Sequence, residues 1–118
     1  MAQIVHFEIP AGDAGRASGF YGSLFGWQIG DSMMEGFEYR MLQASDSQGG
    51  AIMQSETPGS GLVVYFDTND IEASIAKVRE LGGSADEKQP VPTHGWFAGC
   101  KDTEGNSFSL WQPDPNAA

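Results

Sequence analysis

The sequence predicts an α+β domain in which one supersecondary unit occurs twice. Residues Ile4–Ile9 alternate between apolar and polar side chains, as in a half-buried strand, and Asp13 is a suitable N-cap for a helix over Ala14–Leu24. The same plan returns about 57 residues later, as strand Leu62–Phe66 and helix Ile71–Leu81. A repeat of this length is too long for a small solenoid and indicates two copies of one supersecondary unit.

Each copy continues into β-rich sequence. The predicted strands are Glu38–Gln43, Gly50–Gln54, Trp96–Lys101 and Ser107–Gln112. The first pair flanks a polar turn, and the second pair flanks residues 102–106, which have the composition of a hairpin turn. We therefore expect one domain over residues 1–118, made of modules 4–54 and 62–112 that are joined by the linker 55–61.

Length and composition favour a soluble protein. A chain of 118 residues is near the commonest domain size, and it has no apolar run long enough to predict a membrane span. The N-terminus has neither a basic nor an apolar leader pattern, so a cytoplasmic location is expected. The single Cys100 cannot form an internal disulfide, which agrees with a reducing compartment.

The charge balance restricts the expected partners. Sixteen acidic residues against six basic ones give a net charge of −10. A field of this sign repels phosphate backbones, so nucleic acid is not expected as a partner. A membrane is not expected either, because the chain has no long apolar run. It favours a small organic cation over an anion. An acidic surface that serves solubility alone is the competing interpretation.

Two sequence motifs carry a resemblance to a known family. The first motif is Val5–Pro10 followed by Phe20–Trp27. The second is Gly95–Ala98 followed by Lys101–Asn106 and Leu110–Gln112. Both resemble motifs of the vicinal oxygen chelate superfamily, which contains glyoxalases, bleomycin-resistance proteins and extradiol dioxygenases. The similarity covers nearly the whole chain. It implies two tandem βαβββ modules that form a U-shaped, mixed, eight-stranded sheet around a cavity, with the helices on the convex side, and it implies a homodimer.

The resemblance also implies where a metal would bind. Metal-dependent members place a ligand on the first and the last strand of each module, and the equivalent positions here are His6, Ala51, Val63 and Ser109. Only His6 is a competent ligand, whereas zinc, nickel or iron need about three protein ligands with N, O or S donors. We therefore expect no cofactor, although a divergent metal site stays open.

His6 and Glu8 are the candidate catalytic residues. Alternation places both on the strand face opposite Val5, Phe7 and Ile9, so they should line the cavity and could form an acid–base pair. The alternative interpretation is a neutral histidine that is hydrogen-bonded within the sheet.

Further residues are predicted to bind a ligand, because alternation places them on the cavity face or, for Trp96, because it follows the proline-rich residues 90–92 near the expected pocket mouth. They are Met53, Tyr65, Asp67, Trp96, Ser109 and Trp111. Such a face suits an aromatic or cationic ligand, and ordinary sheet packing is the competing interpretation. The stretch Gly30–Gly36, with Met33, Met34 and the adjacent Phe37, is interpreted as a mobile lid, and Cys100 as a buried hydrophobe.

Three functions are compatible with these observations. The first is a binding protein that sequesters an aromatic or cationic compound without metal, similar to bleomycin-resistance members. The second is a lyase, isomerase or dioxygenase-type enzyme with a divergent site centred on His6 and Glu8. The third is a module of a larger pathway protein with no ligand of its own. The sequence leaves open which of them applies.

Overall fold

The structure is a computed structural model that describes residues 2–32 and 35–118. It contains two compact units, of which one is His6–Val63 and the other is Val64–Ala118 together with the N-terminal residues up to Val5. Neither helix in the described residues has the length and the apolar composition to cross a membrane.

The first unit is a mixed four-stranded sheet with one helix. It contains β1 (Ile4–Ala11, from His6 onward), α1 (Ala14–Phe25), β2 (Gln28–Ser32), β3 (Tyr39–Gln43) and β4 (Gly49–Gln54). The strand order is β2-β3-β4-β1, and β1 runs parallel to β4 while the other neighbours are antiparallel.

Helix α1 begins at Ala14, as its sequence predicts, and ends at Phe25, one residue later than predicted. The Asp13 carboxylate accepts a hydrogen bond from the Arg16 N–H, which satisfies a donor that the helix itself leaves unpaired. Gly26 ends the helix in the left-handed region, with φ of 72° and its N–H bonded to the Gly22 carbonyl. The helix packs on one face of the sheet, where Ile9, Leu42 and Ile52 form the buried core with Phe7 against them.

The second unit repeats this arrangement. Its elements are β5 (Val63–Asp67), α2 (Ile71–Glu80), β6 (Ser84–Ala85), β7 (Gln89–Val91), β8 (Gly95–Lys101) and β9 (Ser107–Pro113). β5 runs parallel to β9, β9 pairs with β8, and both β6 and β7 pair with β8. Asp70 caps α2 through the Ala73 N–H, as Asp13 caps α1.

These elements confirm the predicted α+β class and the two-module, mixed-sheet architecture. In both units the first strand pairs in parallel with the last, and the helix connects the first strand to the strand at the far edge of the unit's sheet. The described residues contain nine strand segments instead of the expected eight, because the second strand of the second unit is divided into β6 and β7.

The predicted lid over Gly30–Gly36 is wrong in part. Gly30 to Ser32 belong to β2, which pairs with β3 through an irregular register between Ile29 and Ser32. Phe37 lies in the connection to β3 and is 40% exposed. Met33 and Met34, which the prediction also included, lie outside the described residues.

Gly50 should be intolerant of a side chain, because a Cβ at this position would lie 2.6 Å from the Phe7 phenyl ring. Gly50→Ala is expected to lower the free energy of unfolding by about 1–3 kcal/mol in urea titrations. Gly19→Ala is the matched control: its Cβ would meet nothing within 4 Å on exposed α1, so it should stabilise the protein by about 0.5–1 kcal/mol. Equal effects of the two changes would contradict this packing.

Candidate functional site

Three polar side chains of the first unit form a hydrogen-bonded set, the His6–Tyr39–Glu8 trio. The Tyr39 hydroxyl donates to Glu8 Oε2 at 2.6 Å. His6 Nε2 lies 2.9 Å from the same hydroxyl oxygen. The imidazole and phenol rings are nearly parallel, with an interplanar angle of 18°. The phenol thus connects the two candidate catalytic residues that the sequence predicted.

The sheet positions the trio on the face opposite α1. Phe7 and Ile9 pack in the core beneath the helix, and successive strand residues point to opposite faces, so His6 and Glu8 point away from it. Tyr39 reaches them from β3, two strands away, across β4. Ala51 on β4 is the register partner of Glu8 and is fully buried, and its small side chain leaves room for the phenol above it.

Glu8 is a buried acid without a basic partner in the described residues. Its exposed fraction is 7%, and none of the ion pairs found within residues 2–32 and 35–118 includes it. Burial disfavours the charged form of a group unless a counter-charge or hydrogen bonds compensate. Here the compensation within the trio comes from the Tyr39 hydroxyl.

His6 is held neutral near physiological pH. Burial lowers its pKa below the ordinary value, and the negative charge of Glu8 opposes this effect to a smaller extent. A neutral imidazole carries one N–H donor and one acceptor nitrogen, so His6 can accept a proton as well as a hydrogen bond.

The second unit brings four predicted ligand-binding residues to one sheet face. Tyr65 pairs with Ser109 and Asp67 with Trp111, on the face opposite the core that packs against α2. The Trp111 indole lies against the backbone of Gly95, where a Cβ would meet its ring at 2.6 Å. Asp67 Oδ1 accepts a hydrogen bond from the Gln3 N–H at 2.8 Å.

Asp67 also borders a shallow polar cavity of about 280 Å³ in this unit. Thr68 and Ser74, whose hydroxyls are 2.7 Å apart, line it at the start of α2. The hydroxyls are therefore already paired with each other, and the cavity offers Asp67 as its charged group.

Trp96 lies on the other face from these residues. It packs with Ala98 and Cys100 against the core of the second unit, and Lys88 Nζ lies 4.2 Å from the centre of its ring. Its indole N–H donates to Asp114 Oδ2 at 3.0 Å. The position of Trp96 next to the proline-containing β7 suggested a pocket mouth, whereas its alternation with Ala98 and Cys100 places it in the core.

Sequence reasoning missed Tyr39. The strand over Glu38–Gln43 was predicted, and alternation within it would have placed Tyr39 and Met41 on one face. The pairing of that face with Ala51 and Met53 comes from the register of β3 with β4, which the sequence alone does not state. Met53 thus lies on the trio's face, as predicted, beside a tyrosine that was not predicted.

The family's metal positions do not fit a metal in this chain. Ala51 and Val63 have no donor atom, and the neutral hydroxyl of Ser109 is a poor substitute for the imidazole, carboxylate or thiolate ligands that zinc and iron take. His6 Nε2 is engaged with Tyr39. Across residues 2–32 and 35–118, no group of three or more His, Cys, Asp or Glu side chains could hold a metal ion.

Comparisons with known proteins identify the family. A family model described as Bleomycin resistance protein-like N-terminal matches residues 3–45. A glyoxylase-like domain-containing protein from Didymella fabae is 31% identical over 117 residues, which cover 92% of this chain and 91% of that protein. The chain belongs to the glyoxalase/bleomycin-resistance, or vicinal oxygen chelate, superfamily.

Two other similar proteins differ from this chain in length or in sequence. The putative glyoxylase CFP32 of Mycobacterium tuberculosis (strain CDC 1551 / Oshkosh) is 35% identical over 105 residues, which cover 84% of this chain but only 40% of that protein. The crystal structure of methylmalonyl-CoA epimerase from Mycobacterium tuberculosis superposes with a TM-score of 0.73 over 95% of this chain and 88% of the epimerase, at 15% identity. A structural similarity at 15% sequence identity shows that the two proteins share a fold and shows nothing about a shared activity.

The lowered pKa of His6 predicts a pH dependence of stability. At a pH above the ordinary histidine pKa of 6.5, His6 is neutral in both the folded and the unfolded chain, so its burial as a neutral ring does not make the free energy of unfolding depend on pH. As the pH falls below that value, the unfolded chain binds a proton that the folded chain does not, so stability decreases. The free energy of unfolding of wild type relative to His6→Gln should therefore decrease between pH 7 and pH 5 in urea titrations.

His94→Gln is the control for this measurement, since His94 lies in an exposed loop. The prediction is contradicted if the free energy of unfolding of wild type, relative to that of His6→Gln, increases as the pH falls. That result would mean that the folded state stabilises the imidazolium in spite of the burial of the ring.

Proposed function

We propose that this protein binds a small organic molecule that carries a positive charge beside an apolar or aromatic group. The observation that carries the proposal is Glu8, a carboxylate that is 7% exposed and has a tyrosine hydroxyl, but no basic side chain in the described residues, as its partner. A ligand cation would supply the missing counter-charge in surroundings where ion pairing is stronger than in water.

The surroundings of the trio support an apolar body on the ligand. Met41 and Met53 lie on the same face as Tyr39, and Met41 is 40% exposed. Methionine side chains are flexible and polarisable, which suits contact with irregular or aromatic groups. The trio itself adds two rings, the imidazole and the phenol.

Two further observations support a cationic ligand. The net charge of −10 raises the local concentration of cations around the whole protein. In the second unit, Asp67 lies on one sheet face with Tyr65 and Trp111, and aromatic rings next to an acid are favourable for organic cations. Within the second unit, taken by itself, we propose Tyr65, Asp67, Ser109 and Trp111 as ligand contacts, and we leave out Trp96, which packs against the core on the other face.

The test is a binding measurement with matched small probes. Benzyltrimethylammonium should raise the melting temperature and shift the NMR signals of His6 and Tyr39, whereas benzenesulfonate should do neither. Glu8→Gln should weaken binding of the cation by roughly tenfold or more, because it removes the charge partner. Raising the salt concentration should weaken the binding further.

Glu56→Gln is the matched control, because it removes the same charge from an exposed position in the linker. No binding across a broad series of aromatic cations, or equal affinity in Glu8→Gln and Glu56→Gln, would contradict the proposal.

A second candidate function is an enzyme that transfers a proton, and the phenol that joins His6 to Glu8 favours it. A neutral imidazole hydrogen-bonded through a hydroxyl to a carboxylate is an arrangement suited to general acid–base chemistry. If this function holds, small carbonyl compounds should exchange their α-hydrogen for deuterium in the presence of the protein, and His6→Ala should abolish the exchange while the fold is retained.

Metal analysis separates these functions from a metal-dependent enzyme. After incubation with nickel, zinc, manganese or ferrous iron and removal of free metal, we expect far less than one equivalent per chain, because the family positions supply too few donors. One equivalent that is lost in His6→Ala would overturn this expectation and would favour a metal-dependent enzyme.

A further inference from the structure

We propose that Tyr39 is a positioning residue that makes the trio a hydrogen-bond acceptor, so that the bound cation is one that carries N–H donors. This inference rests on the proposed binding function. It names the ligand class as a primary or secondary ammonium, a guanidinium or an amidinium, in preference to a quaternary ammonium.

The assignment follows from counting protons in the trio. A tyrosine hydroxyl has one proton, and the Tyr39 proton is donated to Glu8 Oε2 at 2.6 Å. The hydroxyl oxygen can therefore only accept from His6 Nε2, which lies 2.9 Å away. His6 must carry a proton on Nε2 for this contact to be a hydrogen bond.

The acceptor atoms of the trio follow from this assignment. A neutral imidazole that is protonated on Nε2 keeps its lone pair on Nδ1, whichever donor that atom accepts from. The Glu8 carboxylate accepts from Tyr39 on Oε2, and an ionised carboxylate can accept on both of its oxygens. The His6 Nε2 proton and the Tyr39 hydroxyl proton are both donated to atoms of the trio. The trio therefore recognises hydrogen-bond donors on a ligand rather than acceptors.

Tyr39 is what holds this arrangement in place. It lies on β3, while His6 and Glu8 lie on β1, and β4 separates the two strands. Without the phenol oxygen, the trio would hold no acceptor for the Nε2 proton, and this contact would no longer fix the tautomer of the imidazole. The selectivity for N–H donors would then be reduced.

The first measurement is the nitrogen spectrum of the imidazoles in protein labelled with 15N-histidine at a pH above 7. The chain has two histidines, so His94→Gln assigns the signals of His6. In wild type we expect the Nε2-protonated tautomer with a slowly exchanging N–H. In Tyr39→Phe we expect that N–H to exchange rapidly. A wild-type His6 protonated on Nδ1, or an unchanged N–H exchange rate in Tyr39→Phe, overturns the proposal.

The second measurement compares benzylammonium with benzyltrimethylammonium, which have the same charge and the same ring but differ in N–H donors. Wild type should bind benzylammonium roughly tenfold more tightly, which is the size expected for one charge-assisted hydrogen bond. In Tyr39→Phe, the ratio of the affinity for benzylammonium to the affinity for benzyltrimethylammonium should be smaller than in wild type. Tyr21→Phe should leave it unchanged, because Tyr21 packs against the core on the opposite face.

The outcomes distinguish this inference from the proposed function. If both probes bind wild type equally, the cation-binding function holds and the donor selectivity is overturned. If neither probe binds, the proposed function fails, and the imidazole spectrum alone decides whether Tyr39 fixes the tautomer of His6.

Discussion

The hydrogen bond between Tyr39 and Glu8 is the interaction on which the polar side of the first unit depends. A carboxylate that is 7% exposed is tolerated only if its charge is compensated, and a 2.6 Å bond from a phenol is among the stronger compensations a neutral group can supply. The hydroxyl oxygen of the same phenol also lies within hydrogen-bond distance of His6 Nε2. One side chain thus orients two ionisable groups, His6 and Glu8. Burial of the imidazole lowers the pKa of His6, so the ring itself adds no positive charge to the set at neutral pH.

Strand β4 makes this arrangement geometrically possible because its central residues are small. Gly50 allows the Phe7 ring to lie directly on the strand beneath α1. Ala51, on the opposite face, allows the Tyr39 phenol to extend over the strand to Glu8. A large side chain at position 50 would push Phe7 away from the strand, and a large side chain at position 51 would keep Tyr39 from reaching Glu8. The small residues of one strand thus serve the stability of the unit and its chemistry together.

The sequence predicted those features that depend on local patterns. Asp13 and Asp70 are both N-caps, because a short acceptor side chain directly before a helix can accept a hydrogen bond from an N–H in the first turn. This contact is local in sequence. The shared face of His6 and Glu8 follows from the period of a strand. Tyr39 could not be assigned as their partner, because contact across an intervening strand depends on the register. The short segments β6 and β7 were missed since only their pairing with β8 makes them strands.

The resemblance assigns His6 to a metal-ligand position on the first strand, and in this chain its Nε2 contacts the Tyr39 hydroxyl, which donates to Glu8. Where the resemblance implies a second ligand on β4, Ala51 provides a surface over which a phenol can reach Glu8. A metal ion would supply a positive charge at such a site, whereas the trio leaves a negative charge for the ligand to neutralise. A cation that binds here would therefore supply the positive charge that a metal ion would bring, because Ala51 and Val63 have no donor atoms with which to hold a metal.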